Sequence, residues 1–60
     1  MNQDQKIIGR FIWYVRNGGL GVFDSVEEFV ECWVSRGIRQ LPRAPKGYTA
    51  AQLVAAYRAA

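Results

Sequence analysis

Histidine is absent from the sequence, and Cys32 is its only cysteine. Histidine is the commonest general base and the commonest metal ligand, so both roles lose their usual residue. A single cysteine excludes an intrachain disulfide and any metal site built from several thiolates. The first residues, Met1-Asn-Gln-Asp, also lack the basic and then apolar layout of a secretory signal. Together these features predict a protein of the reducing cytoplasm.

Long hydrophobic runs are missing as well. Half of the residues are apolar, but they never form the run of about 18 that a membrane-spanning helix requires. A chain of 60 residues suffices for one small domain, which buries only about 60% of the surface that its unfolded chain exposes. We therefore expect a single soluble domain over residues 1–60, with no membrane contact.

Negative charge is confined to the first part of the chain. The acidic residues are Asp4, Asp24, Glu27, Glu28 and Glu31. The charged residues that follow are all basic: Arg36, Arg39, Arg43, Lys46 and Arg58. The net charge is +3 and the pI is about 9.5. Such a mildly basic protein is suited to a nucleic acid or to an acidic protein surface.

Apolar residues at helical spacing predict three helices and an all-α fold. The first runs from Gln3 to Arg16 and ends at Asn17-Gly18-Gly19, residues that tolerate left-handed geometry. The second runs from Val26 to Arg36, with Gly37 as its C-terminal cap. The third begins after Thr49. The predicted core consists of Ile8, Phe11, Ile12, Val15, Val26, Phe29, Val30, Trp33, Leu53 and Tyr57.

Capping residues support two of these helices. Ser25 and Glu28 have the spacing of a capping box, in which each side chain bonds the backbone N–H of the other residue. Thr49 and Gln52 repeat the same spacing. Residues 38–48, which hold two prolines and a glycine, predict a loop between the second and third helices.

No active site is evident. The candidate nucleophiles are Cys32, Ser25, Ser35 and Thr49, and none has a histidine to activate it. Cys32 lies near the edge of an apolar face, where a small buried thiol is the usual explanation. Glu27 and Glu31 form an i,i+4 pair typical of solvated charge, and Gly18-Gly-Leu-Gly21 lacks the context of a phosphate loop. We expect no enzyme, cofactor, metal or small-molecule substrate.

The basic loop, residues 35–48, is the first candidate binding surface. Its four cations are Arg36, Arg39, Arg43 and Lys46. Cations held in a proline-containing loop can line up along phosphates, since proline lowers the entropy lost on ordering. The alternative is that a connecting loop is simply polar, with arginine and lysine as ordinary choices.

Trp13 is the second candidate, because it falls on the polar side of the first helix beside Lys6, Arg10 and Arg16. An exposed tryptophan rimmed by cations is suited to a protein interface or to stacking on a nucleic acid. The alternative, which we favour from the sequence, is that Trp13 packs against the loop or the third helix. Partner binding through Trp13 and Arg10, or through Glu27 and Glu31, therefore stays open.

From Phe29 onward the chain resembles the excisionase and MerR-like winged-helix DNA-binding proteins. The resemblance covers residues 29–57 and lies in Trp33-Val34, Gly37-Ile38, Leu41-Pro42-Arg43, Lys46-Gly47-Tyr48 and Thr49 with Gln52-Leu53. It implies a winged-helix-like domain in which Arg43 and Lys46 touch phosphate from a wing. It also implies a second helix in the major groove, which three exposed glutamates, Glu27, Glu28 and Glu31, oppose by repelling phosphates.

The leading hypothesis is a non-enzymatic regulatory protein that contacts DNA through Arg36, Arg39, Arg43 and Lys46. Its size and character are typical of small regulators of phages, plasmids and bacterial operons. The alternative is a protein-binding inhibitor or adaptor that uses the acidic face or Trp13. A third hypothesis is a purely structural subunit. The wide apolar face of the first helix suggests a homodimer.

Overall fold

The computed structural model describes residues 2–60, so Met1 of the predicted domain 1–60 lies outside the described residues. The chain folds into α1 (Gln3–Tyr14), α2 (Val26–Ser35) and α3 (Ala50–Ala59). Residues 2–60 contain no β-strand, which confirms the prediction of an all-α, three-helix domain. None of these helices is long and apolar enough to cross a membrane.

α1 begins at a side-chain cap and ends in a kinked turn. Asn2 Oδ1 accepts a hydrogen bond from the Gln5 backbone N–H at 2.8 Å. The regular helix ends at Tyr14, and Val15–Gly19 forms a kinked turn whose backbone is non-helical at Asn17 and Gly18. Within it Gly18 has a φ of 90°, a conformation that glycine adopts at little cost. The regular helix ends two residues before the predicted Arg16, but the backbone first leaves helical geometry at Asn17, where the sequence predicts the helix to end.

α2 and α3 are capped by the residues that the sequence predicts, with one exception in the bonding. Ser25 Oγ accepts from the Glu28 N–H at 3.2 Å, but Glu28 Oε2 accepts from the Asp24 N–H at 3.0 Å. The Ser25 box is therefore not reciprocal as predicted, because the carboxylate reaches one residue further back. Thr49 and Gln52 do form the complete box, at 3.1 and 2.8 Å.

Aromatic rings form the centre of the core. Phe11 is fully buried, and its ring centroid lies 4.9 Å from that of Trp33 and 5.9 Å from that of Phe29. Tyr57 of α3 closes this cluster at 5.8 Å from Phe11. The buried core consists of Ile7, Ile8, Phe11, Val15, Phe29, Val30, Trp33, Leu53 and Val54.

Three predicted core residues, Ile12, Val26 and Tyr57, are only partly buried and pack against the core from its rim. Ile7 and Val54 are buried in addition to the predicted set. A helical wheel gives the direction of an apolar face but not the width that neighbouring helices cover. On the apolar face of α1, Ile7, Ile8, Phe11 and Val15 are buried within one chain, whereas Ile12 and Tyr14 stay partly exposed.

Candidate functional site

All four cations of the basic loop are exposed. Arg36 is the C-cap residue of α2, where positive charge is favourable at the negative end of the helix dipole. Arg43 lies over Gly37, so that a Cβ built on Gly37 would be 3.4 Å from Arg43 Nη1. Arg39 and Lys46 are exposed on turns of the loop. Within residues 2–60, none of these four side chains takes part in an ion pair.

The underside of the basic loop is fastened to the core. The indole N–H of the buried Trp33 donates to the Pro42 carbonyl at 2.8 Å. Pro45 is buried, and Leu41 and Ala44 pack against the core. The Leu41 N–H also donates to the Ile38 carbonyl at 3.0 Å. The backbone of the loop that carries the cations is therefore held in one position, which lowers the entropy cost of binding.

Trp13 lies on the surface, with a relative solvent exposure of 66%. The expectation that it packs against the loop or α3 was wrong. Trp13 follows Arg10 by three residues on the outer side of α1, whereas Phe11 points into the core. The core is covered instead by Leu41, Tyr57 and other partly buried residues.

Trp13 lines a cleft of about 560 Å³ between α1 and the basic loop, which we name the α1 cleft. The side from α1 consists of Gln5, Lys6, Gly9, Arg10, Trp13 and Tyr14, and the side from the loop consists of Gln40 and Leu41. No carboxylate lines it. The fold thus joins two surfaces that the sequence presented separately, the basic loop and the Trp13 face.

Gly9 contributes no side chain to the α1 cleft, and its Cβ position has free space to 4 Å. Gln40 and Leu41 are the cleft residues that sequence reasoning missed. Periodicity could place Lys6, Arg10 and Trp13 on one helix face, but no local signal shows which loop residues pack beside a helix more than 25 positions away.

The acidic face of α2 is partly engaged within the chain. Glu27 forms an ion pair with Arg58 of α3, and the Glu28 carboxylate accepts from the Asp24 N–H. The Glu31 carboxylate has no hydrogen bond or ion pair in the described part of the chain. Glu27 and Glu31 line a second cleft, of about 760 Å³, whose α3 side consists of Ala50, Ala51, Val54, Ala55, Arg58 and Ala59. The predicted Glu27–Glu31 face is exposed, but only Glu31 keeps a free carboxylate.

Cys32 is half-buried rather than fully enclosed as expected. It lies at a shallow depression with Phe23 and Arg36, because the outer end of α2 has no helix packed over that side. Across residues 2–60, no group of three or more histidine, cysteine or acidic side chains could hold a metal ion.

No protein-family model matches the sequence, and no curated protein or solved structure is significantly similar to the chain. By charge, exposure and geometry two surfaces stand out: the basic loop with the adjoining α1 cleft, and the half-neutralised acidic face of α2.

Proposed function

We propose that this chain is a small, non-enzymatic regulatory protein that binds DNA by contacting phosphates through its basic loop. The observation that supports the proposal most directly is the state of Arg36, Arg39, Arg43 and Lys46. All four side chains are exposed, and none forms an ion pair within residues 2–60. They lie on a loop that Trp33 and Pro45 hold to the core.

Unpaired cations on a loop that is held to the core favour a polyanionic partner. Each phosphate that a lysine or arginine neutralises releases condensed counterions, and this release drives backbone binding. Intramolecular carboxylates would compete for the same cations, but Glu27 is paired with Arg58 and Glu28 caps α2, and the free Glu31 carboxylate forms no ion pair with Arg36 within residues 2–60. The loop cations are left available for phosphate.

The resemblance to excisionase and MerR-like proteins would add a winged-helix-like arrangement, in which Arg43 and Lys46 act from the wing. We do not propose α2 as a helix that reads bases, because its exposed carboxylates would be repelled by phosphates at close range. The proposed contact is with the backbone and gives affinity rather than sequence discrimination. A cytoplasmic regulator of a phage, plasmid or operon, active as a monomer or a homodimer, fits this proposal.

The test replaces all four loop cations with alanine and measures the anisotropy of a labelled random duplex across a salt series. Binding should be largely lost, and the slope of log affinity against log salt should fall in magnitude by about 3.6, since each phosphate contact contributes about 0.9. The matched control, R36K/R39K/R43K, keeps the charge and should bind nearly as the unaltered protein does. Equal binding by the alanine variant would refute the proposal.

A second candidate is a protein-binding inhibitor or adaptor, which the exposure of Trp13 favours. Large aromatic side chains beside arginine are typical of the residues that dominate protein interfaces. The Glu27–Glu31 face is the weaker part of this candidate, because Arg58 already occupies Glu27. Purification of the tagged protein with its bound partner, beside W13A and the charge reversal E27K/E31K, tests it. A complex that survives both changes would exclude these surfaces.

A further inference from the structure

We infer that the α1 cleft binds an unpaired nucleobase, so that the nucleic acid bound by this protein is single-stranded or locally melted where it meets α1. The inference rests on the proposed function, because it names the form of nucleic acid that the basic loop and the cleft hold together. Three features of the cleft support it: its aromatic wall, its charge and its continuity with the basic loop.

Trp13 supplies the aromatic wall. Its relative solvent exposure is 66%, although an indole on a protein surface costs free energy through its contact with water. A flat aromatic side chain can stack on any base, and such stacking is largely independent of sequence. Gly9, one turn earlier, has nothing within 4 Å of its Cβ position, so a planar group has room to lie beside the indole.

The charge of the cleft is suited to the phosphates that flank a base. Lys6 and Arg10 occupy successive turns of α1 on the same face as Trp13, and all three line the cleft. No ion pair within the described residues engages Lys6 or Arg10. Gln5 and Gln40 add side-chain amides, which can both donate to and accept from the edge of a base.

Continuity with the basic loop decides between a nucleic acid and an acidic peptide. Gln40 and Leu41 form the loop side of the cleft, and Arg39 and Arg43 lie immediately before and two residues after them in the sequence. The cations of the cleft, Lys6 and Arg10, and those of the loop are therefore linked through Gln40 and Leu41. A polynucleotide offers at every residue both a phosphate for the cations and a planar base for Trp13, whereas a peptide offers both only where acidic and aromatic residues alternate.

A paired duplex cannot use this cleft. Bases within a duplex are stacked on their neighbours, so their faces are not accessible to Trp13 unless the strands separate. The cleft therefore predicts a preference for single-stranded over double-stranded nucleic acid at equal length. The basic loop by itself predicts no such preference, because phosphates are present in both forms.

The experiment titrates the whole protein with oligothymidylate of about twelve nucleotides, within the range of single-strand site sizes, and with a duplex of equal length. Contact with Trp13 is read as the part of the tryptophan emission change that W13F abolishes, because the second tryptophan, Trp33, is buried but is hydrogen-bonded to the basic loop. Oligothymidylate should quench the emission and bind more tightly than the duplex. W13A should lower the single-strand affinity at least about fivefold, whereas W13F should keep most of it.

The other outcomes separate failure of the cleft inference from failure of the proposed function. If the duplex binds through the basic loop but W13A leaves the single-strand affinity unchanged, the cleft inference fails and the proposed function stands. If neither nucleic acid binds at low salt, both fail. If an acidic peptide that contains an aromatic residue quenches Trp13 and oligothymidylate does not, the cleft belongs to a protein partner and the inference is overturned.

Discussion

The indole N–H of Trp33 donates to the carbonyl of Pro42 at 2.8 Å, and this bond joins the centre of the core to the basic loop. Trp33 itself is buried against Phe11, with ring centroids 4.9 Å apart. The position of the loop cations therefore depends on a residue that belongs to the core. A change at Trp33 should alter both stability and nucleic-acid binding.

W33F should lower the free energy of unfolding by about 1–3 kcal/mol, because it leaves a partly buried Pro42 carbonyl unpaired and a smaller ring in the core. Urea denaturation followed by circular dichroism measures the change. W13F is the matched control, since Trp13 is exposed and its stability effect should stay within about 0.5 kcal/mol. Equal losses in the two variants would contradict the role assigned to Trp33.

Two glycines should respond to alanine in opposite directions. G9A should stabilise the protein by about 0.5–1 kcal/mol, because Gly9 lies within α1 and its Cβ position is open. G18A should destabilise it, because Gly18 has a φ of 90° that alanine adopts poorly. Thermal unfolding of both variants measures the difference. A gain from G18A would show that the turn after α1 differs from this structure.

The complete capping box of α3 should contribute to stability. T49A removes the acceptor for the Gln52 N–H and should cost about 1 kcal/mol. Q52A should cost less. It removes only the acceptor for the Thr49 N–H, and the Thr49 hydroxyl still accepts from the backbone N–H of residue 52. Chemical denaturation of the two variants gives the order. A51S is a suitable control, since Ala51 is exposed and its hydroxyl would have no capping role.

The ion pair between Glu27 and Arg58 should contribute little to stability. Both side chains are about half exposed or more, at 48% and 65%, and exposed pairs typically contribute about 0.2–1 kcal/mol. A double-mutant cycle of E27A and R58A should give a coupling energy in that range, and the coupling should shrink as salt is added. A coupling that resists salt would indicate a less solvated pair.

Local features of the sequence identified the helices. Asn17-Gly18-Gly19 ends the first helical region, Ser25 and Thr49 cap the next two, and apolar spacing predicts which faces turn inward. These features depend on residues three or four positions apart, so no contact between distant parts of the chain is needed to recognise them. The exceptions are at the ends, where α1 kinks after Tyr14 and Glu28 bonds Asp24 instead of Ser25.

The candidate site needed contacts between distant parts of the chain. Whether Trp13 is exposed, and whether Gln40 and Leu41 lie beside it, depends on the path that the basic loop takes over the core. That path is set by Trp33 and Pro42 and by the burial of Pro45. Arg58 likewise neutralises Glu27 across 31 positions. Residue spacing specifies helices and their faces, but only packing brings these side chains together.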